Sequence, residues 1–310
     1  MARPGFVTRV KIVTRNASRV TTSPFPVMAT TDTEYAYSLT PRDRLFDLRL
    51  KEIWQYRDLL MLFVYRDVVT VYKQTILGPL WFFIQPFLTT IVFTVIFGNV
   101  AKLPTDGLPP MIFYLAGVTS WNYFSSCFQK TSNTFTSNAA IFGKVFFPRA
   151  IAPLSVTISN LITFGIQFLL FLIMLGYFML RGAPIHPNLY MLLFPLLIVL
   201  MGIMGLGFGM LVSAWTTKYR DLQFLVQFGI QLLMYATPVI YPISAIPAKY
   251  HWIIMANPMT SIIETFRYSF LGAGTFSFHG LFYSTIFTIL IFLLGLIIFN
   301  RTEKNFMDIV

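Results

Sequence analysis

Residues 45–97 constrain the fold more than any other part of this chain, because they join two different kinds of helix. In the first part, apolar side chains recur at three- and four-residue steps, with one irregular step between Ile53 and Leu60. This spacing predicts a helix with one apolar face, and charged residues fall on its other side. Such a helix can lie in the plane of a membrane surface. The predicted apolar face consists of Phe46, Leu50, Ile53, Leu60, Val64, Val68 and Val71.

From residue 79 to residue 97 the stretch has no charged residue, and it is about long enough to cross a bilayer. Because this run has no polar face, it is typical of a membrane span. Gly78 and Pro79 mark the change between the two parts. The sequence therefore predicts a surface helix, a hinge and a membrane span as one unit. A long soluble helix docked on a core is the alternative.

Five more apolar runs without Asp, Glu, Lys or Arg follow, at about residues 111–128, 151–180, 189–215, 222–241 and 281–300. Only 11% of the chain is charged, whereas soluble domains are about 25% charged. The predicted fold class is therefore an all-α integral membrane protein with six transmembrane helices. Close helix contacts are predicted in the fourth run by Gly202, Gly205, Gly207 and Gly209.

The segment between the fifth and sixth runs, about residues 242–278, is too apolar for an ordinary solvated loop. Asn257 and Pro258 divide it into two pieces, and neither is long enough to span a bilayer. This pattern predicts a re-entrant helix pair before the last span, dipping into the outer leaflet against protein. Glu264 and Arg267 lie three residues apart on the second piece and are expected to pair locally.

The basic residues predict the orientation of the chain. All but four of the 23 Lys and Arg residues fall in segments on the same side as the N-terminus, the others being Lys102, Arg181, Lys249 and Arg267. Since cytoplasmic segments carry an excess of Lys and Arg, both termini are expected in the cytoplasm. The expected organisation is a cytoplasmic extension (1–44) without the apolar core of a signal peptide, an amphipathic interfacial helix (45–78) and a six-span membrane domain (79–310).

A family resemblance is carried by residues 59–98. It consists of Leu59-Leu60, Arg66-Asp67, Tyr72-Lys73-Gln74-Thr75, Leu77-Gly78, Leu80-Trp81, Gln85-Pro86 and Phe97-Gly98. These strings resemble the opening of the permease subunits of type-2 ABC exporters. The subgroup they resemble exports lipid-linked polysaccharides such as O-antigen, and wall teichoic acid. The rest of the chain follows the same layout.

The resemblance implies a transporter permease rather than an enzyme. It implies a multi-pass protein of the inner membrane that pairs with a second copy of itself and with two copies of an ABC ATPase subunit. The ATPase would hold the Mg-ATP, and the cargo would be a polysaccharide on an undecaprenyl diphosphate lipid. Neither a cofactor or metal in this chain nor a nucleic-acid partner is expected.

Two cytoplasmic loops are expected to contact the ATPase, because the resembling family has a coupling helix and a further contact there. In residues 138–153 we expect a short helix that ends near Pro148, with Lys144 and Arg149 exposed. The predicted coupling residues are Phe142, Lys144, Phe147, Arg149, Lys218, Arg220 and Asp221. Topology alone would also place these basic residues at the inner face.

Such a cargo sets two further expectations. An anionic diphosphate needs cations at the inner interface, and the candidates for receiving it are Arg57, Arg66 and Lys73, which could instead pair with Asp58, Asp67 or lipid headgroups. Aromatic rings offer broad contact surfaces along which sugar rings could slide. The channel-lining candidates are Trp81, Phe82, Phe83, Phe87, Phe93 and Tyr235, and lipid-facing packing is the alternative for each.

The sequence lacks the patterns that other function classes need. Gly143-Lys144 is followed by Val145, so the phosphate-binding loop of ATPases is not formed there. The three histidines and the single cysteine have no metal-ligand spacing. A charge within a span would favour an ion-coupled glycolipid flippase, and a polar cluster at one membrane face would favour a membrane enzyme. Both stay alternatives, together with ABC exporters of teichoic acid, drugs or small lipids.

Overall fold

The computed structural model describes residues 50–73, 77–145, 147–219 and 221–306, so the expected extension (1–44) lies outside the described residues. All regular structure within them is helical. The helices are α1 (Leu50–Gln55), α2 (Arg57–Lys73), α3 (Trp81–Phe93), which continues as a π-helical stretch (Thr94–Val100), α4 (Pro110–Ser132), α5 (Thr134–Ser137), α6 (Ala139–Phe142), α7 (Ile151–Leu180), α8 (Phe194–Lys218), α9 (Leu222–Tyr235), α10 (His251–Ala256), α11 (Pro258–Leu271) and α12 (Phe278–Phe306). Short 3-10 turns lie at Gly78–Leu80, Leu189–Leu193, Ile243–Ala245 and Ala248–Tyr250.

Four helical stretches in the described residues are long and apolar enough to cross a membrane: Trp81–Val100, Ile151–Leu180, Leu189–Lys218 and Phe278–Thr302. They coincide with four of the six predicted spans. The remaining two predicted spans fall on α4, which has 23 residues but is more polar, and on α9, which has 14. The predicted all-helical fold is thus confirmed, with four candidate spans in the described residues. The count of six spans stays a prediction.

Glycines bring α8 close to its neighbours, as their spacing predicts. A Cβ atom on Gly205 would lie 2.7 Å from the backbone oxygen of Phe124 on α4. A Cβ atom on Gly207 would lie 2.9 Å from the backbone of Phe292 on α12. Because no side chain separates the helices at these points, the backbones pack against each other directly. The helix α8 is therefore held between α4 and α12.

Three hydrogen bonds and one ring contact define one end of the helical bundle, which we call the loop end. Thr216 Oγ1 donates to the Ser132 carbonyl at 2.5 Å, and Gln223 Nε2 donates to Thr136 Oγ1 at 3.3 Å. The loop end therefore contains both the α4–α7 connection and the α8–α9 turn. The ring of Phe135 stacks on that of Phe299 with centroids 4.6 Å apart, which places the C-terminal part of α12 there as well. Arg66 Nη1 donates to Asn138 Oδ1 at 3.1 Å and adds α2 to the same end.

The predicted interfacial helix is divided, and part of its apolar face contacts protein. A turn at Tyr56 separates α1 from α2, at the irregular step in the apolar spacing. Val64, from the predicted face, is only 4% exposed. The expectation that this face lies in the membrane surface is therefore wrong at Val64, which is buried within the protein, and the main helix that packs against α2 is α7. The large apolar side chains that α1 and α2 expose are Trp54, Met61, Leu62 and Tyr65.

The predicted division at Asn257 and Pro258 is confirmed. Helix α10 has six residues and α11 has 14, so neither is long enough to cross a bilayer. Asn257 Oδ1 accepts a hydrogen bond from the Met259 backbone at 3.0 Å and so caps the start of α11. Along α11 every residue is buried except Tyr268, which is half-buried. A helix buried so completely packs within the protein, at the end of the bundle opposite the loop end.

Candidate functional site

An aromatic cluster fixes the connection between α6 and α7 at the loop end. Phe147 contacts Phe63 of α2 edge-to-face at 5.6 Å and lies 5.7 Å from Phe142. Phe142 lies 6.0 Å from Phe135, which stacks on Phe299 of α12. Each such pair contributes about 0.5–1.5 kcal/mol beyond the area that it buries. The cluster therefore joins the connection to α2 on one side and to α12 on the other.

The predicted coupling residues of the first loop divide into buried and exposed ones. Phe142 and Phe147 are buried in the aromatic cluster. Arg149 was expected to be exposed, and this is wrong: only 7% of the residue is exposed, with its guanidinium 5.4 Å from the centre of the Phe142 ring. The short helix α6 also ends at Phe142 and not near Pro148. Lys144 is exposed as predicted, and it forms an exposed tip together with Gly143 and Val145.

The α8–α9 turn presents a second exposed surface at the loop end. Lys218, Tyr219 and Asp221 are exposed, and Lys218 Nζ lies 5.2 Å from the centre of the Tyr219 ring. Arg220, the remaining predicted coupling residue, lies outside the described residues. The exposed ring of Trp215, one turn earlier on α8, extends this surface. The prediction missed Trp215, Tyr219 and Val145, although apolar side chains beside a charged turn are a recognisable signal.

A polar cavity of about 640 Å³ lies at the loop end between α2, α3, α4, α5 and α7. Arg66 lines it but is already engaged. Its Nε and Nη2 atoms donate to Asp67 Oδ1 at 2.9 and 2.7 Å, its Nη1 atom donates to Asn138, and its guanidinium lies 4.6 Å over the Phe63 ring. Arg66 therefore ties α2 to the segment that follows α5. Its role here is that of a clamp between two elements.

The cavity does not gather the three cations predicted to receive a diphosphate. Arg57 and Lys73 lie on α2 as exposed side chains, and Arg57 contacts exposed Asp58 at 3.8 Å. Lys130 lines the cavity instead, and its Nζ atom donates to Asn160 Oδ1 at 2.8 Å. In the sequence, Lys130 contributes only to the predicted orientation of the chain. The adjacent Gln129, and Asn133 three residues further along, were the available signal.

The candidate channel-lining aromatics lie in different environments. Trp81 and Tyr235 are exposed, with 48% of each residue accessible. Phe82 lines the polar cavity. Phe93 packs inward, edge-to-face on Tyr114 at 6.4 Å. The other two, Phe83 and Phe87, are half-buried.

A buried ion pair lies at the opposite end of the bundle. Arg267 is 1% exposed and donates to Glu264 Oε1 at 3.4 Å, which confirms the predicted local pair. Its guanidinium also donates to the carbonyls of Pro238 at 2.6 Å and Val239 at 2.5 Å. Because both carbonyls follow α9, the pair holds the end of α9 against α11. Among the described residues no group of His, Cys, Asp or Glu side chains could hold a metal ion.

Comparison with known proteins matches this chain to one family. The pattern of the ABC-2 type transporter family matches residues 58–271. An O-antigen export system permease protein (RfbA) of Klebsiella pneumoniae is 30% identical over 255 residues, which cover 81% of this chain and 95% of that protein. The protein of the same name from Myxococcus xanthus is 30% identical over 220 residues, or 70% and 82% of the two chains. A polysialic acid transport protein (KpsM) of Escherichia coli is 19% identical over 239 residues, or 77% and 91%.

Proposed function

The chain belongs to the ABC-2 type transporter family, and we propose that it is the membrane subunit of an exporter of lipid-linked polysaccharide. The cargo is an O-antigen-type glycan on an undecaprenyl diphosphate lipid, moved from the cytoplasm to the outer face of the inner membrane. Support comes from the 30% identity to relatives named O-antigen export permeases, over most of both chains. An exporter of teichoic acid, a drug or a small lipid is the second candidate, because family membership alone is compatible with each.

ATP hydrolysis in a separate ABC ATPase subunit supplies the energy in this proposal. Two copies of the chain and two ATPase subunits form the assembly, with the export path between the two copies. Trp81 and Tyr235 are exposed on the single chain and so are available to line that path. Flat aromatic rings would let sugar rings pass without tight hydrogen bonds.

The six-span arrangement is part of the same proposal. Helices α3, α4, α7, α8, α9 and α12 cross the membrane, both termini lie in the cytoplasm, and α10 and α11 form the re-entrant pair on the outer side. The distribution of charge supports this orientation, since Lys130, Lys144 and Lys218 all lie at the loop end. Cytoplasmic ends of spans carry such an excess of cations. With 14 residues, α9 approaches the length of a span only together with the turn that follows it.

The observation that carries the coupling mechanism is the exposed tip on a buried aromatic cluster. Lys144 and Val145 at the tip, and Lys218 and Asp221 of the α8–α9 turn at the same end, form the surface that meets the ATPase. Below the tip, Phe142 and Phe147 are fixed against α2 and α12. A close-packed cluster transmits a displacement rather than absorbing it. Movement of the ATPase would therefore shift the helices of the permease and open the path.

Reconstitution in vesicles tests the proposal. Vesicles that contain the chain, its ATPase partner and lipid-linked O-polysaccharide should export the glycan when Mg-ATP is added. Vesicles with the chain alone should neither hydrolyse ATP nor export glycan in a proton or sodium gradient. Export without the ATPase would contradict the mechanism and favour an ion-coupled flippase. Export of a lipid-linked teichoic acid, but not of O-polysaccharide, would keep the mechanism and change the cargo.

A further inference from the structure

The polar cavity at the loop end is lined by one cation, Lys130, that pairs with no carboxylate of the described residues. Lys130 is exposed where it lines the cavity, and among the described side chains its ammonium donates to Asn160 Oδ1. An ammonium carries three N–H donors. Two donors therefore stay available, and no ion pair within the described residues involves Lys130.

Arg66, the other cation of the lining, is not available in the same way. Asp67 balances its charge through two short contacts to one carboxylate oxygen, and its other terminal nitrogen donates to Asn138. With Arg66 and Asp67 cancelling, the charged groups of the lining leave one net positive charge, that of Lys130. The electrostatic attraction for an anion in this cavity thus comes from Lys130.

The size and the walls of the cavity indicate the kind of anion. Its volume of about 640 Å³ lies within the range of about 300–1,000 Å³ typical of ligand sites. Gln129 and Thr163 add neutral polar groups to the lining, whereas Phe82, Val156 and Ile162 add apolar ones. A polar headgroup joined to an apolar chain matches such mixed walls better than a small inorganic anion does.

We propose that this cavity binds a phosphate group carried by a lipid, with Lys130 as the cation that receives it. Lysine binds phosphate as a point charge through charge-assisted hydrogen bonds. This proposal rests on the proposed function. The diphosphate of the lipid-linked glycan would occupy this cavity before the glycan enters the export path. It also moves the receiving role from Arg57, Arg66 and Lys73 to a side chain on α4.

Equilibrium binding of radiolabelled farnesyl diphosphate to the full-length chain in phosphatidylcholine nanodiscs tests the proposal. Lys130→Gln keeps a donor for Asn160 but removes the charge, and it should weaken binding about 10- to 100-fold, as expected for the loss of a charge-assisted hydrogen bond. Lys130→Arg should restore most of the affinity, which separates loss of charge from misfolding. Lys249→Gln, the same change at an exposed site at the opposite end, should leave binding unchanged. No binding by the wild-type chain, or equal binding by the Lys130→Gln and wild-type chains, would overturn the proposal.

Competition identifies the source of the phosphate. Inorganic pyrophosphate should displace the probe only at higher concentration, because it lacks the apolar chain, and this outcome supports a lipid-borne phosphate. Displacement by phosphatidylglycerol as effective as by unlabelled farnesyl diphosphate would overturn the assignment to the cargo and leave a site for bilayer lipid. Failure of this inference is distinguishable from failure of the proposed function. If only this inference fails, vesicles with Lys130→Gln still export polysaccharide. If the proposed function fails, wild-type vesicles export none, whatever the farnesyl diphosphate binding shows.

Discussion

Replacing Arg267 with Met should destabilise the protein by about 3–5 kcal/mol, the usual cost of breaking a buried ion pair by removing one partner. Met preserves much of the side-chain volume beside Phe113, whose ring centre lies 3.8 Å from the guanidinium. The substitution therefore removes charge and hydrogen bonds while leaving little empty space. What it tests is the electrostatic attachment of α9 to α11.

The structure gives the components of this cost. Arg267 donates to the carbonyls of Pro238 and Val239, at 2.6 and 2.5 Å. Hydrogen bonds from a charged group are worth about 1.5–3 kcal/mol each. The substitution also leaves Glu264, which is 2% exposed, without its counter-ion. One contact survives, since Glu264 Oε2 still accepts from the Thr275 backbone at 3.1 Å.

A double-mutant cycle separates the charge pair from the carbonyl contacts. Adding Glu264→Gln to Arg267→Met removes the unpaired carboxylate, so the double variant should be at least about 1 kcal/mol more stable than the two single losses predict when added. The assay is thermal and denaturant unfolding in detergent, where Arg267→Met should lower Tm by about 6–15 °C, at about 2–3 °C per kcal/mol.

The matched control is Arg57→Met, the same substitution in an exposed pair with Asp58, which should change stability by less than about 0.5 kcal/mol. Equal effects of Met at positions 57 and 267, or strictly additive losses in the cycle, would refute the reasoning.

Three further predictions follow from the packing and from the loop end. Gly295→Ala should lower the free energy of unfolding by about 2–3 kcal/mol, because its methyl group would meet the backbone of α8. The control is Gly229→Ala, which should not destabilise the protein because the space beside Gly229 is open. Arg66→Met should release the segment after α5 and speed tryptic cleavage at Lys144; unchanged cleavage would argue against the clamp. Lys144→Glu should lower affinity for the ATPase subunit about tenfold in a pull-down titration, while Lys249→Glu at the opposite end should leave it unchanged, and equal affinities would remove the tip from the interface.

Features that depend on neighbours in sequence could be predicted. The division at Asn257 and Pro258 follows from backbone chemistry that acts locally. The pairing of Glu264 with Arg267 follows from a three-residue helical step. The close approach of α8 to its neighbours follows from glycines spaced along one run, since a missing side chain permits contact whichever helix is the partner.

Features that depend on distant residues could not be predicted. Arg149 is a cation beside a turn and reads as exposed, but its guanidinium lies over a ring seven positions earlier, in a cluster completed by Phe299. Val64 belongs to an apolar face that suits lipid and protein equally, and only the tertiary packing of α2, which is mainly against α7, decides between them. Lys130 reads as an orientation marker because its cavity is built from five separate helices.

One side chain, Arg66, connects the two candidate sites at the loop end. Arg66 lines the cavity that contains Lys130, and it also donates to Asn138, the residue before α6. The tip at Lys144 follows α6 directly, so a displacement of the tip acts on Asn138 and through it on the wall of the cavity. Asp67 also holds the Arg66 guanidinium, through two contacts to one carboxylate oxygen. In the proposed mechanism, ATPase movement at the tip would change the cavity in the same step, so release of a bound phosphate and displacement of the helices would need no separate signal.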